Sequence, residues 1–235
     1  KVILPIVERA EAAILEKAAQ FSTLQADCVE WRVDYFEGAR APGAVARCLA
    51  KMRVILRDKL LLVTFRTKAE SGEQALSHPE YLAFLRLILD TDCADLLDIE
   101  FFTAGADLPN LVEQAHSAGV AVVCSSHDFA KTPPRAELVC RMVQMQQAGA
   151  DLPKLAVMPR CRTDVLELLA ATAEMADLHP ETPVITMSMG TLGAVSRLAG
   201  ETFGSAMTFA NPGQASAPGQ VSLNIVNEVL DALHL

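Results

Sequence analysis

Apolar and charged side chains alternate one by one through residues 28–34: Val29, Trp31 and Val33 fall on one face, Glu30, Arg32 and Asp34 on the other. A period of two marks a β-strand whose faces meet different surroundings. Similar short segments recur at 2–7, 61–67, 96–101, 121–127, 152–158, 184–189 and 205–210, and most gaps between them carry helix-period patterns. Thr132 followed by Pro133, Thr163 before Asp164-Val165-Leu166-Glu167-Leu168-Leu169, and Ser222 before Leu223 read as helix N-termini. Gly193 to Phe203 reads as a further helical stretch. Eight strand–helix units in 235 residues predict an α/β fold of the (β/α)8 TIM-barrel kind, with a doubly wound open sheet as the alternative. No repeat of that period and no low-complexity linker interrupts the pattern, so residues 1–235 are expected to form a single domain.

The faces of the strands carry the chemical information. Val63 and Phe65 separate from Thr64 and Arg66 in the third segment, and Leu97, Ile99 and Phe101 from Asp98 and Glu100 in the fourth. The apolar face of a barrel strand meets the helices around it. The other face then sends Glu30, Arg32, Asp34, Arg66, Asp98, Glu100, His127 and Lys154 towards the axis, where a purely structural barrel holds Val, Ile and Leu. Charges in such a place need partners or a ligand. A mutual ionic network is the plainer reading, and for Asp34, Asp98 and Glu100 it keeps them out of the catalytic set.

Lys154 stands inside the apolar run Leu152-Pro153-Lys154-Leu155-Ala156-Val157-Met158. An ammonium ion there pairs with a carboxylate, snorkels to the surface, or loses its proton and becomes an amine nucleophile of the Schiff-base kind. His127 closes the fifth segment, at the strand ends where barrel enzymes keep reactive groups, and an imidazole takes and returns protons near neutral pH. Glu70 lies just past the third segment, placed either to orient that imidazole or to be an ordinary loop carboxylate.

Composition narrows the classes. A chain that is 51% hydrophobic can bury one large core, yet it holds no apolar run of the length a membrane helix needs, so no membrane partner is expected. A formal net charge of -9 argues against nucleic acid. Cys28, Cys48, Cys93, Cys124, Cys140 and Cys161 include no C-x-x-C pair, which points to a reducing cytoplasm and to no metal site. The opening Lys1 in place of methionine suggests that a short N-terminal piece precedes it, and no signal peptide is seen.

Glu30-Trp31-Arg32-Val33-Asp34, Thr64-Phe65-Arg66, Ser126-His127-Asp128-Phe129, Pro153-Lys154-Leu155-Ala156, Ile185-Thr186-Met187-Ser188-Met189 and Ser216-Ala217-Pro218-Gly219-Gln220 resemble, in this order, the motifs of type I 3-dehydroquinate dehydratases. The resemblance runs the length of the chain. It implies a barrel enzyme of the shikimate pathway that converts 3-dehydroquinate to 3-dehydroshikimate without metal or cofactor, as a homodimer. It further implies Lys154 as the amine that condenses with the ketone, His127 as the proton shuttle and Glu70 as its support. Glu30, Arg32 and Arg66 resemble contacts to the hydroxyl-bearing side of the substrate, Arg197 the carboxylate binder, Met187 and Met189 pocket walls, and Ser216 and Gln220 parts of a closing loop.

The plain readings of the same residues stay open beside these. Arg197 reads as a charge on a helix surface, the two methionines as core, and the loop as a flexible connection. Pro5 departs from a serine common in the family, and Gly190-Thr191-Leu192-Gly193 from a lysine often found there. A class I aldolase acting on a phosphorylated sugar would also use a strand lysine, but the expected glycine-rich phosphate nest is missing. A catalytically silent metabolite sensor would have no need to keep both Lys154 and His127.

Overall fold

A computed structural model describes residues 1–213 and 221–233, so Ser216 and Gln220 lie outside the described residues. In chain order the elements are β1 (Val2–Ile6), α1 (Glu11–Ser22), β2 (Cys28–Arg32), α2 (Ala44–Ile55), β3 (Leu60–Thr64), α3 (His78–Leu89), β4 (Leu96–Glu100), α4 (Phe101–Ala104), α5 (Leu108–Ser117) and β5 (Ala121–Asp128). There follow α6 (Arg135–Gln147), β6 (Leu152–Val157), α7 (Arg162–Leu178), β7 (Ile185–Ser188), α8 (Ala194–Leu198), β8 (Thr208–Asn211), β9 (Val221–Ser222) and α9 (Leu223–Leu233). Each expected strand is present, and β9 is an addition that pairs in parallel with β8.

The chain divides into two compact units, Leu4–Val123 and Lys1–Ile3 with Cys124–Leu235. In the first, β2, β3 and β4 run parallel, with Glu30 opposite Leu62, Arg32 opposite Thr64 and Thr64 opposite Asp98. Parallel neighbours need a crossover, which α2 and α3 supply. The apolar strand face packs as the alternation requires: the Phe65 ring lies 5.0 Å from that of Phe84 in α3, and Trp31, Leu49, Met52 and Tyr81 are fully buried. In the second unit β6 and β7 are parallel with Lys154 opposite Ile185, and β8 runs parallel to the start of β1 with Phe209 opposite Ile3. Burial pushes the Cys28 and Cys48 thiols up to about 12, so each behaves as a small hydrophobe. No helix among the described residues is long and apolar enough to cross a membrane.

Several ends differ from the sequence reading, each for a local reason. β2 stops at Arg32, and Val33–Tyr35 form a 3₁₀ turn, because Asp34 turns back to accept Nε and Nη2 of Arg32 at 2.8 Å each. Phe101 belongs to α4 and not to β4. Thr132 does not cap α6, which begins at Arg135 behind Pro134; the Thr132 hydroxyl is buried with no hydrogen-bond partner among the described residues. Thr163 lies inside the first turn of α7. The cap there is Cys161, whose backbone N–H reaches Asp164 at 3.3 Å; the bond from the Arg160 backbone N–H at 2.6 Å, helped by those from Cys161, holds the Asp164 carboxyl below its usual range. Ser222 does precede the closing helix. The stretch from Gly193 to Phe203 is broken after Leu198, where Gly200 passes so close to the Ser196 carbonyl that a Cβ would stand 2.5 Å from it.

Candidate active site

In the unit Leu4–Val123 the polar strand face is a network of buried charges. Arg66 donates Nη2 to Asp98 at 2.8 Å and Nη1 to Glu100 at 3.0 Å and Glu70 at 3.2 Å. Burial alone would lower the pKa of this guanidinium, but the three carboxylates outweigh it and raise the value above that of an ordinary arginine. Glu100 also accepts the backbone N–H and the hydroxyl of Thr67, each at 2.8 Å, and the Thr103 hydroxyl at 2.6 Å. Both of its oxygens are thus occupied. Its own N–H donates to the Tyr81 hydroxyl at 2.8 Å, and burial, with the Glu100 charge, holds the Tyr81 phenol well above its usual range.

Glu30 accepts the Thr64 hydroxyl at 2.9 Å. Arg32 chelates Asp34 with both halves of its fork and lies over the Tyr35 ring, 5.0 Å from the centroid. Glu70, read from sequence as a rim residue, is only 7% exposed and sits in a 3₁₀ turn, Lys68–Glu70. The ionic-network reading therefore holds for Asp34, Asp98 and Glu100, and Arg66 and Glu70 are tied into the same network. Glu100→Ala is expected to lower stability by about 2–5 kcal/mol, since it leaves the buried Thr67 and Thr103 donors without their acceptor and takes one of three carboxylates from Arg66. Urea unfolding of parent and variant checks this.

In the other unit, Lys154 is 3% exposed in β6, and its Nζ stands over the Phe209 ring, 4.8 Å from the centroid. Snorkelling is excluded by that burial. His127 lies near the end of β5, its ring stacked on Phe129 with centroids 6.2 Å apart. The strand beside it is pinned from the helix side: Arg141 of α6 donates Nη1 to the Ser126 hydroxyl at 3.1 Å and Nη2 to Glu137 at 2.8 Å. Met187 and Met189 are buried at the end of β7.

Arg197 overturns its plain sequence reading. It is 4% exposed and not a surface charge. Among the described residues its Nε has no hydrogen-bond partner, and Nη1 meets only the Met187 sulfur at 3.7 Å. Burial pushes its pKa down to about 10, with no carboxylate among the described residues to offset the shift. A buried guanidinium in that state can pair with an anion. Neither Phe209 nor Arg141 carries a signal readable from sequence, because an aromatic in a strand and an arginine on a helix are ordinary in themselves.

The family pattern of type I 3-dehydroquinase matches residues 2–235. The chain belongs to the type I 3-dehydroquinase family. Among curated proteins, a 3-dehydroquinate dehydratase of Bacillus licheniformis is 45% identical over 234 residues, covering 100% of this chain and 92% of its own. One of Clostridium kluyveri is 47% identical over 231 residues, covering 98% and 91%. Among solved structures, a type I 3-dehydroquinate dehydratase from Clostridium difficile with covalently modified comenic acid matches at a TM-score of 0.96 and 42% identity, covering 100% of this chain and 92% of that one. The α/β, TIM-barrel-like class expected from the strand pattern is borne out by this likeness, and so is the enzyme class of type I 3-dehydroquinases.

Proposed function

We propose that this type I 3-dehydroquinase dehydrates 3-dehydroquinate to 3-dehydroshikimate, in the shikimate pathway, through a Schiff base on Lys154. The observation that carries the reading is an amine buried in the middle of a β-strand, 3% exposed, where a purely structural side chain would be apolar. Condensation with the ketone gives an iminium, whose positive nitrogen draws electrons from the adjacent carbon. His127 removes a proton there, leaving an enamine. The enamine expels the β-hydroxyl, to which His127 returns the proton, and water leaves. Hydrolysis of the conjugated iminium frees the product and restores Lys154. The iminium is itself the electron sink, so the chemistry needs neither metal nor cofactor.

Arg197 is assigned the substrate carboxylate, and its lack of a counter-charge among the described residues supports this. Met187, in contact with Arg197, and Met189 are assigned to the pocket wall. Glu70 as the support of His127, Glu30, Arg32 and Arg66 as contacts to the substrate hydroxyls, and Ser216 and Gln220 as closing-loop residues follow from the family resemblance. A single catalytic domain, a homodimer and a cytoplasmic location complete the reading.

Growth of the conjugated enone absorbance on mixing the protein with 3-dehydroquinate, together with a borohydride-trapped adduct on Lys154, tests it. No enone and no adduct would return the chain to the aldolase and sensor readings. Arg197→Met is expected to cut kcat/KM by roughly 10²-fold or more, as loss of a charged contact to a buried carboxylate does. The same change removes a buried charge with no carboxylate partner among the described residues, so thermal unfolding should occur at an equal or higher temperature. Loss of activity with loss of stability would instead assign Arg197 to the scaffold.

A further inference from the structure

We infer that Phe209 is a further catalytic residue, whose ring face holds the proton on the Lys154 nitrogen once that nitrogen has condensed with the ketone. The inference rests on the Schiff-base reading above. Nζ of Lys154 lies 4.8 Å from the ring centroid, and both side chains are nearly sealed from solvent, at 3% and 6% exposure. An aromatic face is the negative end of a quadrupole and attracts a cation more strongly where water is excluded. Both partners stand on strands: Phe209 opposite Ile3 of β1, Lys154 opposite Ile185 of β7. Each partner is thus held in its own strand pairing, and neither sits on a loop.

The proton count shows where such a contact matters. Ammonium and ketone give iminium and water: the carbon–nitrogen bond replaces the carbon–oxygen bond, two of the three N–H hydrogens leave with the oxygen, and one stays with the positive charge. A ketiminium gives up that last proton more readily than an alkylammonium, because its nitrogen is sp². The neutral imine left behind is a poor electron sink. The Phe209 face favours the charged form over it. The contact lapses when the α-proton leaves and the electrons settle on nitrogen as a neutral enamine, and it returns when departure of the β-hydroxyl regenerates the iminium.

Mono-, di- and trifluorinated phenylalanine at position 209 of the full chain drains the ring face stepwise with little change of shape. The pH above which kcat falls should move down in the same order, by about one unit across the series. The borohydride adduct on Lys154 at alkaline pH should decline in parallel, and the thermal midpoint should stay in place. Phe209→Leu, which keeps the bulk and discards the quadrupole, should fall at the far end of the series. A limb that does not move while the adduct still forms on Lys154 overturns the role of Phe209 alone. No adduct on Lys154 in the parent protein overturns the Schiff-base reading, and this one with it.

Discussion

Lys154→Ala should abolish turnover, with kcat lower by about four to six orders of magnitude, the scale on which loss of a covalent nucleophile is felt. Alanine removes the amine and leaves a β-strand residue in β6, whose pairing with β7 runs through backbone groups at Lys154, Leu155, Ala156 and Val157. The variant should therefore fold, and far-ultraviolet circular dichroism should match the parent. Three measurements separate this from general damage. The enone absorbance should fail to grow, the borohydride adduct should vanish from the intact mass, and the substrate should still bind, since Arg197 is untouched. Residual turnover within a factor of ten of the parent, or an adduct on another lysine, would remove Lys154 from the mechanism.

The strand pattern was legible because β-strands impose a period of two whatever the fold does around them, and the expected segments match the observed strands to within one to three residues at each end. The charged faces were legible for the same reason. Their pairing was not, since it depends on register: Arg66 meets Asp98 and Glu100 because β3 runs beside β4 with Thr64 opposite Asp98, and no local signal in either strand states that offset. Arg197 shows the limit from the other side. Its helix, Ala194–Leu198, is one turn long, too short for the periodicity that tells a buried face from an exposed one, so composition pointed to the surface while the fold buries it. Caps failed where an alternative chemistry was available nearby: Cys161 with Asp164 took the place read for Thr163.

His127→Ala should lower kcat by about 10²- to 10⁴-fold, the usual yield of one positioned acid–base group, while leaving the first covalent step intact. If the imidazole takes the α-proton and returns it to the departing hydroxyl, its loss stalls the path after the iminium has formed. The variant mixed with substrate should then accumulate the Schiff base, and borohydride should trap more adduct on Lys154 than in the parent at the same time point. A variant that merely distorts β5 would behave otherwise, because Lys154 would be less well placed and trapping would fall together with turnover. The strand gives reason to expect the first outcome: Ser126, the neighbour of His127, stays tied to Arg141 of α6 through its hydroxyl, a bond that truncation of the imidazole does not touch. The pH dependence supplies an independent check. The limb of kcat that reports the imidazole should disappear in His127→Ala, whereas a limb that persists unchanged would assign the proton transfer to another group.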